Sequence, residues 1–229
     1  MSEVALVTGA GRGVGRAVAL GLARRGARLA LLGRPSSQHS ETAALVERLS
    51  GSRPLEVFAD FADAAALERA AAQVVSELGA PQVVVHNAGT VVRRSIEETA
   101  VEAWDQQLNV NLRAPFVLTR SLLPSMRAHG SGRFVFVGSI SGSIGSPGAA
   151  AYAASKWGLT GFVKSLAEEL KDSGLMACVV QPGSIDTDML KGAAFPPRMT
   201  AEEVAKTVIF LAFDAPLAHN GASIEMFGV

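Results

Sequence analysis

The stretch "AAYAASKWGLTGF" (150–162) holds Tyr152, the only tyrosine among 229 residues, and Lys156 four positions later. Residues four apart share one face of a helix. A phenol beside an ammonium can exchange a proton with a substrate. Alone, a phenol titrates near about 10, too high for efficient exchange at neutral pH, and a neighbouring positive charge favours the phenolate. The lysine is also out of place. Positions 152, 156, 159, 163, 166 and 170 read Tyr, Lys, Leu, Val, Leu, Leu, an apolar stripe at four-three spacing. Lysine is rarely buried without a partner. Its stem can snorkel outward near a helix start. A proton-transfer site accounts for both residues at once.

A second chemical pattern lies at the N-terminus. "VTGAGRGVGRA" follows the first apolar run and opens the first helical one. It misses the G-x-G-x-x-G spacing because Val14 stands at the third position, but it fits G-x-x-x-G-x-G at Gly9, Gly13 and Gly15. Glycines there permit a tight turn and close approach of a pyrophosphate, and the helix N-terminus offers free N–H groups. The second strand refines the ligand. A carboxylate about twenty residues on would hold a ribose 2′-hydroxyl, whereas arginine accommodates a 2′-phosphate. Gly33 stands where that acid belongs, Arg34 follows, and Arg12 lies within the loop. Two guanidiniums and no acid favour NADP(H).

The elements that must hold these residues alternate along the chain. Strand-like runs are "VALVT" (4–8), "RLALLG" (28–33), "LEVFA" (55–59), "QVVVH" (82–86), "RFVFVG" (133–138), "MACVVQ" (176–181) and "ASIEMF" (222–227). Helical spacing separates them, as in Val14, Ala17, Val18, Gly21 and Leu22, or Leu67, Ala70, Ala71, Val74, Val75 and Leu78. Leu112, Phe116, Thr119, Leu123 and Met126 form another such face, with Pro124 expected to kink it. Seven strands alternating with helices predict a single α/β domain over 1–229: a Rossmann-type, doubly wound, mostly parallel sheet with helices on both faces. Two polar or proline-bearing stretches, 33–41 and 192–200, are loops within that domain, the second leading into a helix at Thr–Ala–Glu–Glu.

Composition removes other classes. Hydrophobic content of 48% and charged content of 18% describe a compact chain. Lys plus Arg equals Asp plus Glu at 21 each, which gives no support for nucleic-acid or membrane binding. Cys178 is alone, so it reads as a small core residue rather than a disulfide partner. His39, His86, His129 and His219 are scattered, suggesting neither a metal site nor a Ser/His/Asp triad. No signal-like or bilayer-length apolar segment is visible, and a cytoplasmic location is expected.

Taken in order, the motifs resemble the short-chain dehydrogenase/reductase family over almost the whole chain. "TGAGRGVG" (8–15) matches its T-G-x-x-x-G-x-G, "HNAG" (86–89) its N-N-A-G, "YAASK" (152–156) its Y-x-x-x-K and "PGSIDT" (182–187) its P-G-x-x-x-T. The resemblance implies that Gly9, Arg12, Gly13, Val14, Gly15, Arg34, Asn87, Ala88 and Gly89 bind the cofactor. It implies that Asp60, with Phe61 beside it, holds the adenine, and that Pro182, Gly183, Ile185 and Thr187 surround the nicotinamide. It places Asn111 of "NVNL" and Ser139 of "GSISG" with Tyr152 and Lys156 in the catalytic set. Three departures stand out: His86 replaces the first Asn, the substrate lid within about 189–200 is short, and Phe227 stands where the usual terminal acid would be.

The implied chemistry is reduction of a ketone to a secondary alcohol, or its reverse. Tyr152 is the general acid, and Ser139 hydrogen-bonds the substrate carbonyl. Lys156 also holds the nicotinamide ribose, and Asn111 supports a water relay to Lys156. Within the family the likeness is nearest to 3-oxoacyl-acyl-carrier-protein reductases, and a reductase of small free carbonyl compounds fits equally. Arg127, His129, Arg133 and Lys171 are a candidate basic patch for an acidic carrier protein. A homo-oligomer, dimer or tetramer, is expected, with the helices bearing Asn111 and Tyr152 pairing between subunits. Two alternatives keep the fold: a non-catalytic NADP-sensing protein, and an enzyme of dehydratase or isomerase chemistry.

Overall fold

The computed structural model describes residues 2–191 and 195–228. Seven strands form one parallel sheet: β1 (Val4–Thr8), β2 (Arg28–Gly33), β3 (Leu55–Phe58), β4 (Val83–His86), β5 (Gly132–Val137), β6 (Leu175–Pro182) and β7 (Ser223–Met226). Their order is β3-β2-β1-β4-β5-β6-β7, with every neighbouring pair parallel. Each expected apolar run is a strand, within a residue or two at its ends. The order reverses between β1 and β4, so the crevice beyond their carboxyl ends is the natural ligand site.

Helices α1 (Gly13–Arg24), α2 (Ser37–Ser50), α3 (Ala64–Leu78), α4 (Val101–Leu108), α5 (Ala114–His129), α6 (Ala150–Glu169) and α7 (Ala201–Ile209) cover the two faces. Strand residues alternate between two cores, as the pleat requires. Val7, Val85 and Val135 pack with Val18, Leu22, Val204 and Val208 on one face. Leu6, Val84, Phe134 and Phe136 pack with Leu67, Leu118, Leu122, Leu159 and Val163 on the other. Cys178 lies in the first core, where burial pushes its thiol up to about 12. That suits an inert packing residue.

Local signals set the helix starts. Ser36 caps α2 by accepting the His39 N–H, and Asp63 caps α3 by accepting that of Ala66. Thr200 and Glu203 form a reciprocal capping box at α7. The departure at the C-terminus does not dislodge the last strand: β7 pairs with β6 from Ser223 to Met226.

The expected buried face of α5 is only partly right. Thr119 and Met126 are buried, but the helix turns Val117, Leu118 and Leu122 to the sheet, and Phe116 is 45% exposed. The helix is apolar on two sides, and spacing alone does not say which side meets the core. α5 continues through Pro124 to His129.

Candidate active site

The glycine loop joins β1 to α1. Gly9 has φ +66°, and a Cβ on Gly15 would come within 2.2 Å of the Gly9 carbonyl oxygen. Side chains at these positions would fill the cradle. Thr8 and Asn87 clasp the loop to the end of β4. The Thr8 hydroxyl accepts the Asn87 and Ala88 N–H groups at 2.9 and 3.0 Å. Asn87 Nδ2 donates to the carbonyls of Thr8 and Gly9 at 3.0 and 3.2 Å. Opposite lies the turn after β6, where Thr187 Cγ2 would be 3.2 Å from a Cβ on Gly13. Val14 is buried at the start of α1. Pro182 ends β6, and Ile185 bridges in parallel to Met199. The residues present here fit the dinucleotide that the resemblance implies for this loop.

The residues expected to hold the adenosine lie at the ends of β2 and β3. Arg34 is exposed and has no ion-pair partner among the described residues. Asp60 turns back to accept the Ala62 N–H at 2.9 Å, and Phe61 is buried beside it. Arg12 is paired with Asp188 at 2.7 Å, both partly exposed, so a phosphate must compete with that carboxylate. An exposed pair of this kind is weak, because water screens both charges. One residue here escaped sequence reasoning. A Cβ on Gly33 would lie 2.7 Å from His39 Nδ1, so an imidazole fills the place of the missing carboxylate. His39 is buried, and burial lowers its pKa. The only sequence signal was a histidine in the first turn of a polar helix start.

The residues that the resemblance implies as the catalytic set converge at the carboxyl ends of β4 and β5. Lys156 is 4% exposed, and Nζ donates to the Val137 carbonyl at 3.0 Å. The same Nζ lies 5.6 Å from the Tyr152 ring centroid. Leu159, Val163, Leu166 and Leu170 continue its stripe in full burial. Ser139 begins a short turn, Ile140–Gly142, and accepts the Ser141 N–H at 3.2 Å. Gly142 presses that turn onto α6, where a Cβ would be 2.9 Å from the Lys156 carbonyl oxygen. A buried chain of bonds backs the contact: Ser143 donates to Gln181 at 2.6 Å, and Gln181 donates to Thr160 at 2.8 Å. Thr160 in turn donates to the Lys156 carbonyl at 3.0 Å.

Asn111 lies in a π-helical turn, Asn109–Arg113, joining α4 to α5. Such turns insert a residue into the helical ladder and recur at functional sites. Its side chain is fully engaged. Oδ1 accepts the Thr90 N–H at 2.8 Å, while Nδ2 donates to the Thr90 carbonyl at 2.9 Å and to Ser155 Oγ at 3.0 Å. The side chain is therefore structural, and any relay must use the backbone. Gly89 lies between: a Cβ there would be 3.3 Å from Asn111 Oδ1 and 3.9 Å from Lys156 Nζ.

The electrostatics differ from the sequence expectation. Burial raises the Tyr152 phenol above its ordinary value, and it outweighs the opposing Ser139 hydrogen bond and Arg93 charge. The neighbouring Lys156 ammonium donates to the Val137 carbonyl and is itself pushed down to about 8 by burial. The phenol is thus held in its protonated form. His86, at the departure from N-N-A-G, is buried on the Phe136 ring and bonded to Thr119 at 3.0 Å. Burial lowers it to about 3, so it stays neutral. In the candidate basic patch, Arg133 bonds the carbonyls of Leu211 and Ala215 and Arg127 that of Glu169, while Lys171 pairs with the Glu168 carboxylate.

Comparison with known proteins agrees with this fold. The sequence profile of the family described as short chain dehydrogenase matches residues 3–195. The chain is 33% identical over 238 residues to the 3-oxoacyl-[acyl-carrier-protein] reductase of Escherichia coli, covering 99% of this chain and 96% of that protein. It resembles the crystal structure of a putative NAD(P)-dependent gluconate 5-dehydrogenase from Beutenbergia cavernae with bound NADP. That likeness has TM-score 0.90 at 34% identity over 97% and 94% of the two chains. A blue fluorescent protein from a metagenomic library, in complex with NADPH, matches with TM-score 0.89 at 35% identity over 99% and 96%. The chain belongs to the short-chain dehydrogenase family. It is an NAD(P)-dependent oxidoreductase.

Proposed function

We propose that the protein is an NADP(H)-dependent reductase of ketones, with Tyr152 as the general acid. One observation carries this reading: a buried lysine lies 5.6 Å from the ring of the chain's only phenol, which bonds Ser139 beyond the carboxyl end of β5. The reduced nicotinamide supplies a hydride when bound. Ser139 orients the substrate carbonyl and stabilises the negative charge that develops on its oxygen. Tyr152 delivers the proton to that oxygen. Lys156 then restores the phenol through solvent, with the backbone at Asn111 as the path. In the reverse direction the same groups accept the proton.

Preference for the 2′-phosphate rests on Arg34 and on the absence of an acid at Gly33. Relatives named for 3-oxoacyl thioesters and for gluconate make both thioesters and small hydroxy or oxo acids first choices as substrates. The test is loss of NADPH absorbance across 3-oxoacyl thioesters, ketones and aldehydes, repeated with NADH. Turnover with at least one ketone, faster with NADPH, is the expected result. Tight NADPH binding with no turnover indicates a sensor, and substrate loss without NADPH consumption indicates dehydration or isomerisation.

A further inference from the structure

Residues 89–94 leave the end of β4 as an extended strap, and it is held with unusual thoroughness. Asn111 grips both the N–H and the carbonyl of Thr90. Gln107, wholly buried, accepts the Val92 N–H at 2.9 Å. Arg94 N–H donates to the Gly148 carbonyl at 2.9 Å, just ahead of the helix that carries Tyr152. Alternate residues of the strap are therefore fixed, and Arg93 stands between two of them.

The Arg93 side chain is half-buried and reaches across the cleft to the Met189 carbonyl at 3.0 Å. Its charge is felt at the Tyr152 phenol. Among the described residues it has no carboxylate within salt-bridge distance, whereas Arg12 of the glycine loop is matched by Asp188. A guanidinium partly withdrawn from water and lacking a counter-charge is unfavourable. Among the described residues only the Met189 carbonyl accepts from it, and the planar fork of its donors matches a carboxylate. Two buried amides thus hold the strap from which a cation without a carboxylate partner acts on the Tyr152 phenol.

We propose that Arg93 is a substrate-recognition residue and that the substrate is a ketone bearing its own carboxylate near the carbonyl. This rests on the reductase reading above and narrows it. A 3-oxoacyl thioester presents a neutral group next to its ketone and leaves the guanidinium unmatched.

The experiment uses 3-oxobutanoate, 4-oxopentanoate and 5-oxohexanoate, each beside its methyl ester, with the wild type, Arg93→Met and Arg93→Lys. At least one acid should exceed its ester in kcat/KM by about tenfold or more, and Arg93→Met should erase that ratio while Arg93→Lys keeps part of it. A residue that merely braces the lid would lower acid and ester together; an unchanged ratio therefore overturns the proposal. So does a wild-type ratio near one, or faster turnover of an acetoacetyl thioester than of every acid. Binding of glutarate and succinate to the NADPH complex, read by cofactor fluorescence, is scored independently of turnover. Saturable binding weakened about tenfold by Arg93→Met supports the site, and its absence overturns it. If carboxylates bind in this way but nothing is reduced, the reductase reading fails and the recognition site stands.

Discussion

Lys156 occupies a position where its helix would otherwise bury an aliphatic side chain, and its ammonium has one carbonyl partner, Val137. The depressed pKa, about 8 against an ordinary 10.5, has a consequence for stability. Below about 8 the folded protein must hold a desolvated charge. Between about 8 and 10.5 the unfolded chain keeps its proton while the folded one sheds it, so stability gained from this residue rises with pH. The unfolding free energy of the wild type minus that of Lys156→Met should therefore climb across this window by up to about 3 kcal/mol. Denaturant titrations at several pH values measure it, and a flat difference means that the ammonium is solvated. Tyr152→Phe isolates the acid. Turnover should fall by about 100-fold or more, while NADPH affinity changes by less than about threefold. The misfit of Lys156 and its place beside Tyr152 were legible from spacing alone. The rise in the phenol's pKa was not, because spacing reports neighbours and not the loss of solvent that dominates here.

Elements account for the second tier of effects. The turn from β2 into α2 reads the adenosine ribose in related folds through a carboxylate, and here His39 of α2 fills that space. Gly33→Asp alone should strain the β2–α2 contact, lower the melting temperature and leave NADH use poor. Gly33→Asp with His39→Ala should relieve the clash and shift the NADH to NADPH ratio of kcat/KM upward by about tenfold or more. Equal ratios in the single and double variants would show that His39 does not guard the position. The junction of α4 and α5 is a similar case. Asn111→Leu removes three hydrogen bonds and strands Thr90, so a loss of about 2–4 kcal/mol is expected on thermal or denaturant unfolding. The strands and helix starts were readable because β-branched runs and capping residues act locally. The π-turn at Asn109–Arg113 and the choice of face on α5 were not, since both are decided by what packs across from them. Gln107 and Gln181 escaped notice for the same reason: a buried amide is recognisable only once its partners are assembled.

At the scale of the whole molecule, neither the sheet nor the cleft explains the exposed aromatics of α5 and α6. Phe116 on α5 and Trp157 on α6 are 45% and 53% exposed, and Phe116 meets Phe162 of α6 edge-on at 6.1 Å. Large aromatic side chains left in water on neighbouring helices mark an association surface more often than scattered single residues do. α6 carries Tyr152 and Lys156 on the opposite flank of the same helix, five residues or fewer from Trp157. Pairing across α5 and α6 would then brace the catalytic helix as well as cover the aromatics. A twofold contact would bury each aromatic twice, which makes one substitution felt on both sides of the interface. The wild type should therefore sediment as a dimer or larger, and Phe116→Glu with Trp157→Glu should sediment as a monomer with a lowered melting temperature. If bracing matters, kcat of the monomer should fall while its NADPH affinity holds, because the glycine loop lies at the far side of the cleft on α1. A wild type that is monomeric across the concentrations used for the assay would remove this surface from the account and leave α6 supported by its own core, Leu159, Val163 and Leu166.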